Sequence, residues 1–274
     1  MNVFQSILLG IVQGLTEFIP VSSSGHLVLV PYLFGWKIPP DQAFVFDVLV
    51  QVATLVGVFA FFWRDITAII KAMFAGALQR QPFGEPMARL GWYVVLATIP
   101  AGLVGFLIKD TIEAFFNSPI YTALFLLFTA FLLIIAERVG KRSRNLDSMT
   151  WKDALLIGFF QVLALFPGVS RSGATISGAM RQDFERPAGA RFSFIMSIPI
   201  MFAAGFLSLS DLKKFPDFTQ LLPVFIPGFI TAGIVGYLVI GWLLNFLSRY
   251  PLYYFAAYCV ALSILTFVVS LTIL

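Results

Sequence analysis

The stretch IPVSSSGH, residues 19–26, and a second one, FPGVSRSGAT, residues 166–175, interrupt apolar runs at about 3–34 and 153–180. A helix that crosses a bilayer does not stop for three serines and a glycine. In hydrocarbon each unpaired backbone group costs several kcal/mol, so broken backbone survives at depth only where protein or a wet cavity shields it. Both runs are therefore read as helix–loop–helix hairpins that enter the membrane and turn back.

The two hairpins also match each other. Gly10–Gly25 (GIVQGLTEFIPVSSSG) lies over Gly158–Gly173 (GFFQVLALFPGVSRSG) without a gap, with eight identities in sixteen positions. Leu and Phe coincide by chance in apolar segments. Gln13 over Gln161 and the V-S-x-S-G tail in register do not, which implies an internal repeat.

Around the hairpins the chain is apolar. Of its 274 residues 59% are hydrophobic and 12% charged, with a mean hydropathy of +0.91. A soluble domain carries about 25% charged residues, so this surface belongs in lipid. The N-terminus has neither a basic leader nor a small-residue cleavage site and reads as mature sequence. The single cysteine, Cys259, excludes an intrachain disulfide. Six further runs, near 44–63, 90–109, 119–137, 192–210, 220–247 and 252–272, are long enough to span about 30 Å of hydrocarbon.

Charge fixes the orientation. With segment 64–89 read as a cytoplasmic loop, thirteen of the eighteen Lys and Arg fall inside, and Lys37, Lys109, Lys213 and Lys214 fall outside. The first hairpin then enters from outside and the second from inside. The fold expected is an all-α polytopic membrane protein, a single domain over 1–274. Its halves, 1–140 and 150–274, form an inverted-topology repeat, each a re-entrant hairpin plus three transmembrane helices. In such folds the broken segments meet near the midplane and build the site.

That meeting brings Glu17, Ser22, Ser23, Ser24 and His26 toward Ser170, Arg171, Ser172, Gly173 and Thr175. A guanidinium at depth needs a partner, and its fork suits phosphate or carboxylate. A plain structural ion pair with Glu17 would also satisfy it. His26, the only histidine, is the side chain best suited to move a proton near neutral pH, or else a helix cap. Glu17 could orient His26, act as a base or bind a hard cation. Gln13, one turn earlier, could add an amide oxygen, or bond between helices as Gln161 would. Each serine alone reads as turn or packing chemistry. Together with a histidine and an arginine they outline nucleophile, base and anion clamp. Asp47 and Gln51, one turn apart, could reach the same cavity or lie at the outer surface. Phosphoryl transfer on an amphiphilic substrate follows. Lipid phosphatases related to acid phosphatases share an S-G-H segment but need two histidines.

QGLTEFIPVSSSGH (13–26) and PGVSRSGATISG (167–178) resemble the two signature segments of the bacterial undecaprenyl-diphosphatase, or bacitracin-resistance, family. The resemblance extends over the whole chain in the order and spacing of its apolar runs. It implies hydrolysis of undecaprenyl diphosphate to undecaprenyl phosphate and phosphate, which recycles the lipid carrier of peptidoglycan synthesis. It implies a divalent cation, Mg²⁺ or Ca²⁺, and an extracytoplasmic site in the bacterial inner membrane. By resemblance Ser23 matches the proposed nucleophile, His26 the base or an alternative nucleophile, and Arg171 the phosphate clamp. The family's acidic motif has Glu or Gln, three residues, then Glu; here Gln13 and Glu17 leave one carboxylate for the metal.

The mechanism expected has Ser23, deprotonated by His26, attack the terminal phosphorus, while direct attack by water remains open. The rival reading is an inverted-repeat transporter or flippase of an anionic lipid or solute, which needs no serine–histidine pair. Expected partners are the polyprenyl diphosphate and membrane lipids, with a homodimer as an option and no nucleic acid.

Overall fold

The computed structural model describes every residue except 109–110, 113–114, 116–117, 213–217 and 274. The described elements are helical: α1 (Val3–Thr16), α2 (Ser23–Leu33), α3 (Pro40–Phe61), α4 (Trp63–Leu78), α5 (Pro86–Leu107), α6 (Pro119–Val139), a 3₁₀ turn (Leu146–Ser148), α7 (Trp151–Leu163), α8 (Arg171–Arg181), α9 (Arg186–Leu212), α10 (Phe218–Arg249) and α11 (Tyr253–Ile273). Among the described residues six helices, α3, α5, α6, α9, α10 and α11, are long and apolar enough to cross a membrane. The chain is a multi-pass membrane protein. Lys109, Lys213 and Lys214, three of the expected outer charges, lie outside the described residues.

Both interrupted runs fold as helix pairs, α1–α2 and α7–α8. The first arm of each opens on a capping box, which satisfies orphan N–H groups reciprocally. Asn2 Oδ1 accepts from Gln5 N and Gln5 Oε1 from Asn2 N. Thr150 and Asp153 do the same at α7. Each first arm lies against a spanning helix through glycine. A Cβ on Gly10 would stand 2.4 Å from the Gly228 carbonyl oxygen of α10, and one on Gly158 2.5 Å from that of Ala97 on α5.

The two tips rest on α6. Gly168 has φ +97° and nearly touches the Thr122 carbonyl; a Cβ there would be 2.4 Å from that oxygen. Thr129 Oγ1 donates to Gly168 O at 2.9 Å and accepts from Ser170 N at 3.0 Å. Beneath the tips, fully buried Phe18 meets Phe194 of α9 edge-on, with ring centroids 5.4 Å apart.

The segment expected as a loop, 64–89, contains α4. Its Ile66, Ile69, Ala72 and Gly76 are buried at three- and four-residue spacing, and Met73 and Ile69 lean on Gly91 of α5. The polar residues that suggested a loop are the outer face of an amphipathic helix too short to span.

Arginine–carboxylate clusters pin the same end of the bundle. Buried Glu137, at the end of α6, accepts from Arg186 (2.5 and 2.6 Å), Arg142 (2.6 Å) and the backbone N–H of Leu252 (2.7 Å). Arg144 forks onto Asp153 at 3.0 and 2.7 Å. Burial opposes the charge on Asp153, but hydrogen bonds from Arg144 and Thr150 outweigh it and hold the carboxyl below the usual carboxylate range.

Candidate active site

The repeated V-S-x-S-G tail has an atomic meaning. Its first serine is an N-cap and its glycine is the third helical residue. Ser22 Oγ accepts from Gly25 N at 3.2 Å, and Ser170 Oγ from Gly173 N at 3.0 Å. The second serine leans back on the first: Ser22 and Ser24 hydroxyls are 3.3 Å apart, Ser170 and Ser172 hydroxyls 3.1 Å. Ser22 holds φ +70°, an uncommon conformation for a residue with a Cβ. Helices α2 and α8 thus both begin at the hairpin tips, where their free N–H groups favour an anion. The tips touch directly, Ser172 Oγ donating to Ile19 O at 3.3 Å.

Ser23 and Arg171 are the first residues of these two helices, and both reach Glu17. Ser23 Oγ donates to Glu17 Oε2 at 2.6 Å, and Gln13 Nε2 donates to the same oxygen at 2.8 Å. Arg171 Nη2 donates to Glu17 Oε1 at 2.6 Å. Glu17 is 8% exposed. Among the described residues no second acceptor is bonded to the guanidinium, so its remaining N–H donors are available to an anion.

His26 is placed differently from expectation. Ser23, expected to give its proton to His26, is hydrogen-bonded to Glu17 instead. One imidazole nitrogen, Nδ1, lies 2.7 Å from the Ser22 carbonyl, and the other, Nε2, lies 2.7 Å from the Tyr258 hydroxyl of α11. Sequence reading missed Tyr258. It sits in the run YYFAAY (253–258), which looks like an interfacial aromatic belt.

The other expected residues fall into three groups. Ser22, Ser24, Ser170, Ser172 and Gly173 build the caps at the tips. Thr175 is buried and bonded to the Arg171 carbonyl at 2.8 Å and the Ser193 hydroxyl at 2.6 Å, which anchors α8 to α9. Asp47 is half-buried and Gln51 exposed on α3, with no hydrogen bond to the tips among the described residues.

No cluster of three or more His, Cys, Asp and Glu gathers among the described residues. The oxygen donors at the tip are the Glu17 carboxylate and Gln13 Oε1, which is buried without a partner. A carboxylate one turn from an orphaned amide oxygen fits a hard cation that completes its shell with water and substrate oxygens.

Fold and site together define a polytopic α-helical membrane protein with a Glu–Arg–Ser–His centre at the tips of two broken helices, its Glu17 and His26 buried. The family described as "Bacitracin resistance protein BacA" matches residues 6–265. A protein named undecaprenyl-diphosphatase from Thermomicrobium roseum is 43% identical over 276 residues, covering 98% of each chain. Others of that name, from Desulforudis audaxviator and Methanosphaera stadtmanae, are 41% and 36% identical, covering 99% and 100% of each chain. The chain belongs to this bacitracin-resistance family.

Proposed function

We propose that the chain is an undecaprenyl-diphosphate phosphatase. It releases phosphate from undecaprenyl diphosphate, returns the lipid carrier to peptidoglycan synthesis and thereby confers bacitracin resistance. The observation that carries this reading is the shared carboxylate: Glu17 accepts from Ser23 at 2.6 Å and from Arg171 at 2.6 Å. A hydroxyl bonded to a buried carboxylate beside a guanidinium is a nucleophile with its proton acceptor and anion clamp. The full-length likeness to proteins named undecaprenyl-diphosphatase supports the substrate.

Ser23 Oγ attacks the terminal phosphorus while its proton passes to Glu17, and the bridging P–O bond breaks to release undecaprenyl phosphate. The free donors of Arg171 and the N–H groups opening α8 neutralise the phosphoryl oxygens. Water then resolves the phosphoserine, and Glu17 returns the proton to Ser23. This assigns to Glu17 the acceptor role first expected of His26. Gln13 and Glu17 would hold a Mg²⁺ or Ca²⁺ ion, which when bound draws charge from the diphosphate. All residues of the scheme come from one chain, so it calls for no second copy.

The halves 1–140 and 150–274 read as an inverted repeat. Like caps start α2 and α8, and each hairpin's first arm lies against a helix of the other half, Gly10 on Gly228 and Gly158 on Ala97. With the basic loops inside, the protein sits in a bacterial inner membrane with the α1–α2 hairpin and the site reached from the extracytoplasmic side.

The test is phosphate release from undecaprenyl diphosphate by detergent-purified protein, with trapping of the phosphoenzyme. Arg171→Ala and Ser23→Ala should abolish release, and the trapped phosphate should sit on Ser23. Phosphate on His26, or a fully active Ser23→Ala, overturns the serine route.

A further inference from the structure

The bonding of His26 fixes its tautomer. The Ser22 carbonyl can only accept, so Nδ1, 2.7 Å away, carries the hydrogen. In the neutral ring Nε2 is then the bare, basic nitrogen, and what it faces is the Tyr258 hydroxyl at 2.7 Å. Whatever proton chemistry His26 performs therefore passes through Tyr258.

Tyr258 is half in the site and half outside it. It is 45% exposed and lines an apolar groove of about 590 Å³ between the first hairpin tip, α10 and α11. Ile19, Val21, Trp242 and Phe246 line the same groove, as does Thr16, the residue before Glu17. The groove thus reaches the two residues that adjoin the polar centre, Thr16 next to Glu17 and Tyr258 bonded to His26. Continuity with that centre assigns its occupant, the prenyl chain next to the diphosphate.

We infer that Tyr258 is a proton relay between His26 and the lipid-phosphate leaving group. The inference rests on the diphosphatase reading and adds a residue that the mechanism above does not use. In the first step the Ser23 Oγ–P bond forms and the bridging P–O bond breaks. The diphosphate brings one acidic proton, which on binding passes through Tyr258 to the bare Nε2; as the bridging bond breaks, the Tyr258 O–H proton goes to the departing lipid phosphate and the Nε2–H proton replaces it on the tyrosine oxygen. In the second step water attacks the phosphoserine. Its proton travels by the reverse path, through Tyr258 to Nε2, while the Oγ–P bond breaks and Glu17 reprotonates Ser23; Nε2 then returns that proton through Tyr258 to the departing phosphate, which leaves the imidazole neutral. The sum is diphosphate plus water to lipid phosphate plus phosphate, with His26, Tyr258, Glu17 and Ser23 restored.

Tyr258→Phe removes one oxygen and keeps the ring against the groove. With undecaprenyl diphosphate in detergent, kcat should fall by about 10- to 100-fold, within the range of one general acid–base group, and KM should stay within about threefold. Because Tyr258 acts with His26, adding Tyr258→Phe to His26→Gln should lower kcat no further. An unchanged kcat in Tyr258→Phe, or effects that multiply in the double variant, overturns the relay. A second measurement needs no variant. His26 is the only histidine, so its imidazole ¹⁵N signals are unique; they should report a protonated Nδ1 and a bare, hydrogen-bonded Nε2. The opposite tautomer overturns the inference even where the kinetics agree. Wild-type protein that releases no phosphate at all refutes the diphosphatase reading, and the relay falls with it.

Discussion

Glu17→Gln separates what the carboxylate does for the fold from what it does for the chemistry. Three donors converge on it: Ser23 and Gln13 on Oε2, Arg171 on Oε1. The new amide has one accepting oxygen and one donating nitrogen. If the oxygen takes the Arg171 side, the nitrogen faces Ser23 and Gln13. Ser23 can rotate its hydroxyl to accept. Gln13 can flip, because its Oε1 is buried with no partner and would then face the new N–H. The flip leaves Gln13 Nε2 where Oε1 had no partner, so the number of unpaired groups does not rise, and the loss is that of a charge-assisted bond turned neutral, about 1–1.5 kcal/mol. Catalysis fares worse, since the Ser23 proton now points away from any base. Loss of a positioned proton acceptor lowers kcat by about 10²–10⁴. The assays are thermal unfolding in detergent and phosphate release from undecaprenyl diphosphate. The expected result is a small drop in melting temperature with near-complete loss of turnover. Turnover within about threefold of wild type would refute the role of Glu17 as acceptor, and collapse of the fold would refute the rotation and flip.

Two further variants test the frame that holds the site. Glu137→Ala leaves Arg142 and Arg186 without the buried carboxylate that both contact and frees the Leu252 N–H; unfolding should come easier by about 3–5 kcal/mol, with turnover per folded molecule unchanged, as measured by denaturant unfolding and phosphate release together. Gly168→Ala sets a Cβ 2.4 Å from the Thr122 carbonyl oxygen at φ +97°, so the second tip must leave α6; turnover should fall at least tenfold, and a variant with wild-type turnover would show that the Gly168–α6 contact does not position Arg171.

The broad fold is legible because its signals are long. Twenty apolar residues, or a serine run that breaks them, speak through composition alone, and the register of the two V-S-x-S-G tails already pairs Ser23 with Arg171. What a sequence hides are the choices made within a few ångströms. Helix α4 was hidden because Arg64 and Lys71 outweigh a narrow apolar stripe whose members, Ile66, Ile69 and Ala72, are individually ordinary. The Ser23 partner was hidden because Glu17 and His26 lie six residues before it and three after it, and only the strained turn at Ser22 decides which comes within 2.6 Å. Tyr258 was hidden because it is one aromatic among many, and it meets His26 from 232 residues away.

On the repeat reading, the register also says why the two halves could not stay alike. Ser23 and Arg171 hold the same position, first residue of a helix that starts at the tip, and both converge on one carboxylate. Two arginines there would place two cations against the single negative charge of Glu17 and leave no hydroxyl to attack phosphorus. Two serines would leave no cation to balance either Glu17 or the incoming phosphate. A site built where two equivalent helix ends meet can hold a nucleophile and a clamp only if the equivalence is broken at those two residues. The caps around them carry no such conflict, which is why Ser22 and Ser170, and Gly25 and Gly173, are still the same.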